Sequence, residues 1–118
     1  MNTKNGFEIT NNITPEEYME LRQVVCWSSF PLEQAAEGLK NSAVLCCFRD
    51  NGKPIALGRA VSDHGYVVYI ADVIVRPEYQ GKGVLRELYG FILNNIENDL
   101  EFVEDYANIN NQKSIGIL

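Results

Sequence analysis

The sequence has few positive charges and no long apolar run, and each absence excludes a class of protein. Ten Lys and Arg residues stand against sixteen Asp and Glu residues, for a formal net charge of −6. That balance argues against a general nucleic-acid binder, which needs a basic face. No apolar run approaches the roughly 18 residues of a membrane span, and the polar residues 1–10 contain no signal-peptide core. We therefore expect a cytoplasmic protein that binds neither nucleic acid nor membranes.

The three cysteines follow no metal-binding or disulfide spacing. Because no CxxC or Cys/His pattern is present, we expect reduced thiols and no metal site. Cys26, Cys46 and Cys47 are interpreted as small buried hydrophobic residues. The adjacent pair, Cys46 and Cys47, would point to opposite faces of a strand.

Length and composition indicate one domain spanning residues 1–118. Thr14, Pro15 and Glu17 form a helix-start signal with a capping box, and Asn51-Gly52 predicts a tight hairpin turn. The predicted elements are strand 7–9, helices 14–26 and 31–39, strands 43–48, 54–61 and 66–75, helix 84–98 and strand 100–103. The apolar residues at helical spacing are Tyr18, Leu21, Val24 and Val25 in the first helix, Leu32, Ala35, Ala36 and Leu39 in the second, and Leu85, Leu88, Tyr89, Ile92 and Ile96 in the third.

Short turns join the three middle strands, so the sequence predicts an antiparallel meander. A whole helix separates strand 66–75 from strand 100–103, and this separation makes a parallel pairing the expected one. The fold class predicted is α/β, with a mixed sheet and helices on its faces.

Residues 73–86 join the last meander strand to a helix through a turn that contains two glycines. Gly81 and Gly83 allow backbone N–H groups to converge without an intervening Cβ, and the first turn of the helix adds donors to this anion site. Lys82 and Arg86 contribute positive charge. We therefore expect this site to bind a ligand that carries phosphate.

The exact pattern of the glycine loop distinguishes between the known families of phosphate-binding loops. A P-loop requires Ser or Thr after Lys82, and a dinucleotide fingerprint requires glycine where Arg86 stands, so both fail. The stretch QGKGVL, residues 80–85, resembles the [QR]xxGx[GA] pyrophosphate loop of the GNAT N-acetyltransferases. The preceding DVIVRPEY, the LRQVVCW segment and NGKPIALGRAV extend the resemblance over residues 14–98, toward a bacterial subgroup of unassigned substrate.

The resemblance implies a GNAT fold, acetyl-CoA as the donor and the primary amine of a small molecule as the acceptor. In the family, the fourth and fifth strands splay apart into a V-shaped slot. The amine attacks the thioester directly, and an N–H near Val75 polarises the carbonyl. The residues that the resemblance assigns to acetyl-CoA are Val73, Ile74, Val75, Gln80, Gly81, Lys82, Gly83, Val84, Leu85 and Arg86.

Candidates for the acceptor side are fewer. Tyr69 shares strand parity with Val73 and Val75, so it is a candidate catalytic residue or a packed strand aromatic. Asp72 is a second catalytic candidate if a bulge shifts the phase of the strand. Otherwise it is a charge at the sheet rim or one that pairs with Arg59. Trp27 lies where the family borders its acceptor pocket, or it is a core residue. His64 is interpreted as a solvated turn residue.

Two departures from the family pattern shape the expectations. Leu85 stands where Gly or Ala is usual, so it either crowds the ligand or turns aside. Residues 98–118 do not resemble the family's closing helix and hairpin. We therefore expect a homodimer that covers an exposed sheet edge and a slower acetyl transfer. The alternative function is a catalytically impaired acyl-CoA-binding or dimerisation module.

Overall fold

The core of the molecule is a five-stranded mixed sheet, which confirms the predicted α/β class. The computed structural model describes residues 1–99 and 116–117. The strands lie across the sheet in chain order: β1 Glu8–Thr10, β2 Val44–Asp50, β3 Lys53–Ser62, β4 Val68–Val75 and β5 Gly116–Ile117. The first four are antiparallel neighbours, and β5 is parallel to β4. The helices are α1 Pro15–Val24, α2 Leu32–Lys40 and α3 Val84–Asp99, and a short 3-10 turn spans Pro77–Tyr79.

Helix α1 begins with the predicted capping box. The Glu17 backbone N–H donates to Thr14 Oγ1 at 3.1 Å, and the Thr14 N–H donates to Glu17 Oε1 at 3.0 Å. Arg49 of β2 also binds the Glu17 carboxylate, at 2.8 and 3.0 Å. These side-chain hydrogen bonds lower the pKa of Glu17 to about 2, so a carboxylate stays ionised beside the helix N-terminus, where negative charge is favourable.

The sheet separates two hydrophobic clusters. On one face, α3 packs Val84, Leu88, Ile92 and Ile96 against residues of β2, β3 and β4. On the other face, Tyr18, Met19 and Leu21 of α1 and Ala35 and Leu39 of α2 pack against the sheet. Cys46 belongs to the first cluster and Cys47 to the second, which confirms that the two thiols point to opposite faces.

The hairpin between β2 and β3 has the predicted turn. Asn51 and Gly52 have φ values of 50° and 85°, the left-handed pair that a tight two-residue hairpin requires. The meander of β2, β3 and β4 is therefore confirmed.

Several predicted boundaries and burials were wrong by small amounts. Strand β1 covers residues 8–10 rather than 7–9, and α1 ends at Val24 rather than near Cys26. Cys26 adopts a φ of 62° just after the helix and is exposed rather than buried. Val24, Leu32 and Leu85 are 36%, 44% and 55% exposed, and Ala36 is also exposed, because each lies at the margin of its helix stripe.

The predicted strand 100–103 lies outside the described residues. Within the described part, the parallel neighbour of β4 is β5, whose Gly116 and Ile117 pair with Tyr69 and Ile70. None of the helices in residues 1–99 combines the length and hydropathy that a membrane crossing requires.

Gly58 of β3 provides a test of how tightly α3 packs on the sheet. A Cβ at Gly58 would collide with Ile92, with Ile92 Cγ1 only 2.7 Å away, and would lie 3.2 Å from Leu88 Cδ1. We expect Gly58→Ala to lower the free energy of unfolding by about 1–3 kcal/mol through overpacking. Denaturant unfolding measures this change.

Gly90 of α3 is the matched control, because no atom lies within 4 Å of its added Cβ. Gly90→Ala should raise the free energy of unfolding by about 0.5–1 kcal/mol, since alanine loses less backbone entropy in a helix. Equal stability of the two variants would contradict the close packing of α3 on β3.

Candidate functional site

A bulge in β4 organises the candidate site. Arg59 lies opposite Asp72 and the next residue, Ala60, lies opposite Ile70. Ala71 is therefore an extra residue on β4, and such a residue shifts the facing of the side chains on either side of it.

The bulge overturns the expected orientation of Tyr69. Val68, Ile70 and Val75 belong to the cluster on the α3 face, and Val73 packs against it. Tyr69 alternates with Val68 and Ile70, so it faces away from α3, opposite to Val73 and Val75. Asp72 also faces away from α3, because its carboxylate contacts Tyr18 of α1. The prediction that Tyr69 shares a face with Val73 and Val75 was wrong because strand parity is not maintained through a bulge.

The backbone of β4 is open along part of its outer edge. The Arg76 N–H donates to Ile55 O of β3 at 2.8 Å. Since successive residues of an antiparallel strand direct their backbone groups alternately, Val73 and Val75 direct theirs away from β3. β5 pairs with β4 only at Tyr69 and Ile70. In the described part of the chain, β4 therefore has an unpaired edge at Val73 and Val75.

The glycine loop that follows β4 presents a row of backbone donors. Gly81 and Gly83 have φ values of 77° and 82°, and a Cβ added at either would meet no atom of the described residues within 4 Å. The first N–H of α3 that is bonded belongs to Glu87, which donates to Gly83 O at 3.2 Å. Within residues 1–99, the N–H groups of residues 81–86 donate no hydrogen bond. This is the arrangement of an anion site at a helix N-terminus.

A cavity of about 430 Å³ joins the open strand edge to this loop. It is lined by Val73, Val75, Gln80, Gly81 and Leu85, and we call it the loop cavity. The Gln80 side chain donates to Val75 O at 2.9 Å, which ties the start of the loop to the strand. Leu85 lines the cavity while its side chain is about half exposed, so it forms part of the rim.

Residues that the sequence pattern did not single out support the loop. The Tyr79 hydroxyl donates to Asp50 Oδ2 at 2.7 Å, and the ring packs edge-on against Phe7 at 5.4 Å. The Asn5 side chain donates to Lys82 O at 3.4 Å. These contacts join residues far apart in the chain, and no local sequence signal predicts them.

A second cavity of about 430 Å³ lies beside the β4 bulge, where α1 and the α1–α2 connection meet the sheet. We call it the arginine cavity. The residues that line it are Tyr18, Arg22, Trp27, Ser28, Phe30, Arg59, Ala71 and Asp72. The predicted pocket residue Trp27 and the candidate Asp72 are thus brought together. Tyr69 does not line this cavity.

Asp72 is the centre of a buried ionic cluster. Its side chain is 4% exposed. Oδ2 accepts hydrogen bonds from Tyr18 Oη at 2.5 Å and from Arg59 Nε at 2.6 Å, and Oδ1 accepts from Arg22 Nη1 at 3.4 Å. The predicted pairing of Asp72 with Arg59 is therefore present. Burial raises the pKa of Tyr18, and the hydrogen bond to Asp72 raises it further, so the phenol stays protonated and donates.

Arg22 is held among aromatic rings. Its guanidinium carbon lies 5.7 Å from the Tyr18 ring centroid, 5.2 Å from that of Trp27 and 4.9 Å from that of Phe30. Arg22 Nε also donates to Ser28 O at 2.8 Å. These contacts fix the connection between α1 and α2, and thereby the position of Trp27, against the sheet.

The two cavities lie on neighbouring residues of one strand. Ala71 and Asp72 line the arginine cavity, while Val73 and Val75 line the loop cavity. An extended strand advances about 3.3 Å per residue, so the residues that line the two cavities follow one another closely along β4.

Two other sequence features lie apart from these cavities. His64 is exposed in the turn between β3 and β4, with a φ of 59°, and it lines neither cavity. Among residues 1–99, no three His, Cys, Asp or Glu side chains are grouped so that they could hold a metal ion.

A glycine loop that follows the bulged strand β4 and opens helix α3 is a feature of one class of acyl-transfer fold, and comparison with known proteins identifies the family. The model of the acetyltransferase (GNAT) family matches residues 7–116. The chain belongs to this family.

Individual relatives agree with that assignment. The chain is 35% identical over 77 residues to the uncharacterized N-acetyltransferase ycf52 of Pyropia yezoensis, a match that covers 62% of this chain and 44% of that protein. The chain thus spans less than half the length of this relative. A probable acetyltransferase of Staphylococcus aureus, SA2161, superposes with a TM-score of 0.73 at 30% identity, covering 78% of this chain and 70% of that one.

A more distant structure shares the fold. The aminoglycoside N-acetyltransferase AAC(6')-Iy, solved in complex with CoA, superposes with a TM-score of 0.61 at 19% identity. The match covers 81% of this chain and 74% of the other.

Replacing Asp72 tests the ionic cluster. Asp72→Asn removes the one carboxylate that Arg22, Arg59 and Tyr18 share, leaving two largely buried guanidinium groups without an anion. We expect the free energy of unfolding to fall by about 3–5 kcal/mol, measured by denaturant unfolding.

Asp50→Asn is the matched control, because Asp50 accepts one hydrogen bond from Tyr79 and is only half-buried. Its loss should cost about 1 kcal/mol. A cost at Asp72 no larger than that at Asp50 would show that the cluster does not hold α1 on the sheet.

Proposed function

We propose that the chain carries an acetyl-CoA-dependent N-acetyltransferase site that acts on the primary amine of a small molecule. The observation that carries the proposal is the pair of cavities on adjacent residues of β4. One has an open strand edge and an anion loop, and the other has polar and aromatic walls. The arrangement suits a reaction between a donor bound in one cavity and an acceptor bound in the other, both beside β4.

The donor side fits the chemistry of acetyl-CoA. Its pyrophosphate would accept hydrogen bonds from the N–H groups of residues 81–86, with Lys82 and Arg86 nearby as exposed cations. Its pantetheine amides would pair with the open backbone of Val73 and Val75 in the manner of an added strand. Because Val75 O already accepts from Gln80, the pantetheine would use its second lone pair or the Val73 carbonyl.

Transfer requires a neutral amine and a polarised carbonyl. The amine nitrogen forms a bond to the thioester carbon, the C–S bond breaks, and the amine proton passes to a base, directly or through water, while CoA leaves as a thiolate. The Val75 N–H, or that of Val73, faces the open edge and would stabilise the oxyanion. Thiols have a pKa near 8.5, so the thiolate is an adequate leaving group.

We assign Asp72 to positioning rather than proton transfer. Tyr18, Arg59 and Arg22 already donate to its two oxygens and take three of the roughly four lone-pair positions of a carboxylate, so Asp72 serves to hold these three donors in place. Tyr69 lies on the face of the sheet opposite α3 and does not line the arginine cavity. We therefore propose that the amine proton leaves through water. The homodimer and the cytoplasmic location stay predictions from the sequence.

The glycine loop gives a direct test of donor binding. Gly83→Ala places a methyl group in the open space where the pyrophosphate would approach the amides. We expect acetyl-CoA affinity, measured by isothermal titration calorimetry, to fall by about tenfold or more, corresponding to 1.4 kcal/mol or more.

Gly52→Ala is the control for backbone strain. Gly52 has a φ of 85° against 82° for Gly83, and neither added Cβ meets an atom within 4 Å. Both variants therefore lose similar stability, whereas only Gly83→Ala should lose affinity. Parallel losses of affinity, or none, would place the donor elsewhere.

The activity itself is tested by incubating the protein with acetyl-CoA and a panel of primary amines and measuring CoA release. Release that depends on the amine and is lost in Gly83→Ala supports the proposal. Acetyl-CoA binding without turnover of any amine would favour the alternative, an acyl-CoA-binding module.

A further inference from the structure

Among the residues that the structure describes, the lining of the arginine cavity contains one more cation than anion. Arg22 and Arg59 contribute two guanidinium groups, and Asp72 contributes the one carboxylate among the lining residues. This excess is local, because the whole chain carries a net charge of −6. A cationic cavity in an acidic protein is a feature of the site that the fold alone does not require.

The two arginines are not equally committed to Asp72. Arg59 Nε lies 2.6 Å from Asp72, and Arg59 Nη1 donates to Gly38 O at 3.1 Å and to Ser42 Oγ at 3.2 Å. Arg22 Nη1 reaches Asp72 only at 3.4 Å, and Arg22 Nη2 reaches Ser28 Oγ only at 3.4 Å. Both distances are long for such bonds, so the terminal nitrogens of Arg22 have capacity for a better acceptor.

The aromatic walls make Arg22 a prepared binding group. Tyr18, Trp27 and Phe30 surround its guanidinium, and its side chain is 13% exposed. A side chain that is already ordered loses little entropy on binding. The planar guanidinium matches a carboxylate with two parallel hydrogen bonds, and the rings offer apolar contact to the rest of a small ligand.

We propose that the acceptor is an amino acid-like molecule whose carboxylate is bound by Arg22 while its amine points toward the open edge of β4. This inference rests on the proposed function and names its substrate class. The cavity of about 430 Å³ lies in the size range of small-molecule sites. The excess positive charge also favours the neutral amine over the ammonium form, which is the form that attacks.

Trp27 makes the proposal directly measurable, because it is the one tryptophan in the chain and lines the cavity. The probe pair is hydrocinnamate and hydrocinnamamide, which share a phenyl ring and chain but differ in the carboxylate. Titration of each into the acetyl-CoA-free protein, followed by Trp27 fluorescence, should show the acid binding about tenfold more tightly or better.

Arg22→Gln and Arg49→Gln form a matched pair of variants. Arg22 and Arg49 are 13% and 12% exposed and each contacts a carboxylate, but Arg49 pairs with Glu17 and does not line the cavity. The preference for the acid should disappear in Arg22→Gln and persist in Arg49→Gln, with both variants checked for folding by circular dichroism. Equal binding of acid and amide by the parent, no saturable binding of the acid, or a preference that survives Arg22→Gln would overturn the proposal.

A kinetic experiment distinguishes a failure of this inference from a failure of the proposed function. Phenylalanine and phenylalaninamide are compared as acceptors by CoA release. Arg22→Gln should raise KM for the acid by about tenfold more than it raises KM for the amide. Turnover of the amide as efficient as that of the acid would overturn the substrate class alone. Absence of acetyl-CoA binding would refute the proposed function, while the fluorescence result would still decide whether Arg22 selects a carboxylate.

Discussion

The site depends on the hydrogen bonds and ion pairs that the Asp72 carboxylate makes with three side chains. The carboxylate lies one residue past the β4 bulge and accepts from Tyr18 of α1, Arg59 of β3 and Arg22 at the end of α1. A buried ion pair contributes little net stability, because desolvation offsets the attraction. It does fix geometry, since each donor would be left unpaired in any other arrangement. The cluster therefore determines where α1 and the following connection lie relative to β4.

Local signals predicted most of the framework, and long-range pairing determined the rest. The capping box at Thr14, the Asn51-Gly52 turn and the glycines of the loop each act within a few residues, so their geometry follows from the sequence alone. The β4 bulge depends on how β3 pairs across the sheet. No pattern within β4 encodes it, which is why Tyr69 was assigned to the wrong face.

The candidate site divides in the same way. The proposed donor side comes from one continuous stretch, residues 73–86, and its strand, loop and helix occupy the predicted positions. The proposed acceptor side is assembled from α1, the α1–α2 connection, β3 and β4. The sequence indicated Trp27 as a pocket residue and Asp72 as a candidate that could pair with Arg59. It did not predict that all three line one cavity. Arg22 gave no signal, because a single arginine in the last turn of a helix is ordinarily a solvated residue that favours the helix dipole.

The net charge of the chain explains why the two cavities must attract anionic ligands through groups at short range. The acetyl-CoA donor and the carboxylate-bearing acceptor that we propose are both anionic, and a chain of net charge −6 repels such ligands at a distance. The Debye length at physiological salt is about 8 Å, so this repulsion fades within the width of a cavity. Attraction must then come from groups at hydrogen-bonding distance: the backbone N–H groups of the loop on one side and the Arg22 guanidinium on the other. Both are held in place before a ligand arrives, the loop by its glycine conformations and Arg22 by three aromatic rings. Such preorganised donors lose little entropy on binding, which allows an acidic protein to select anionic ligands.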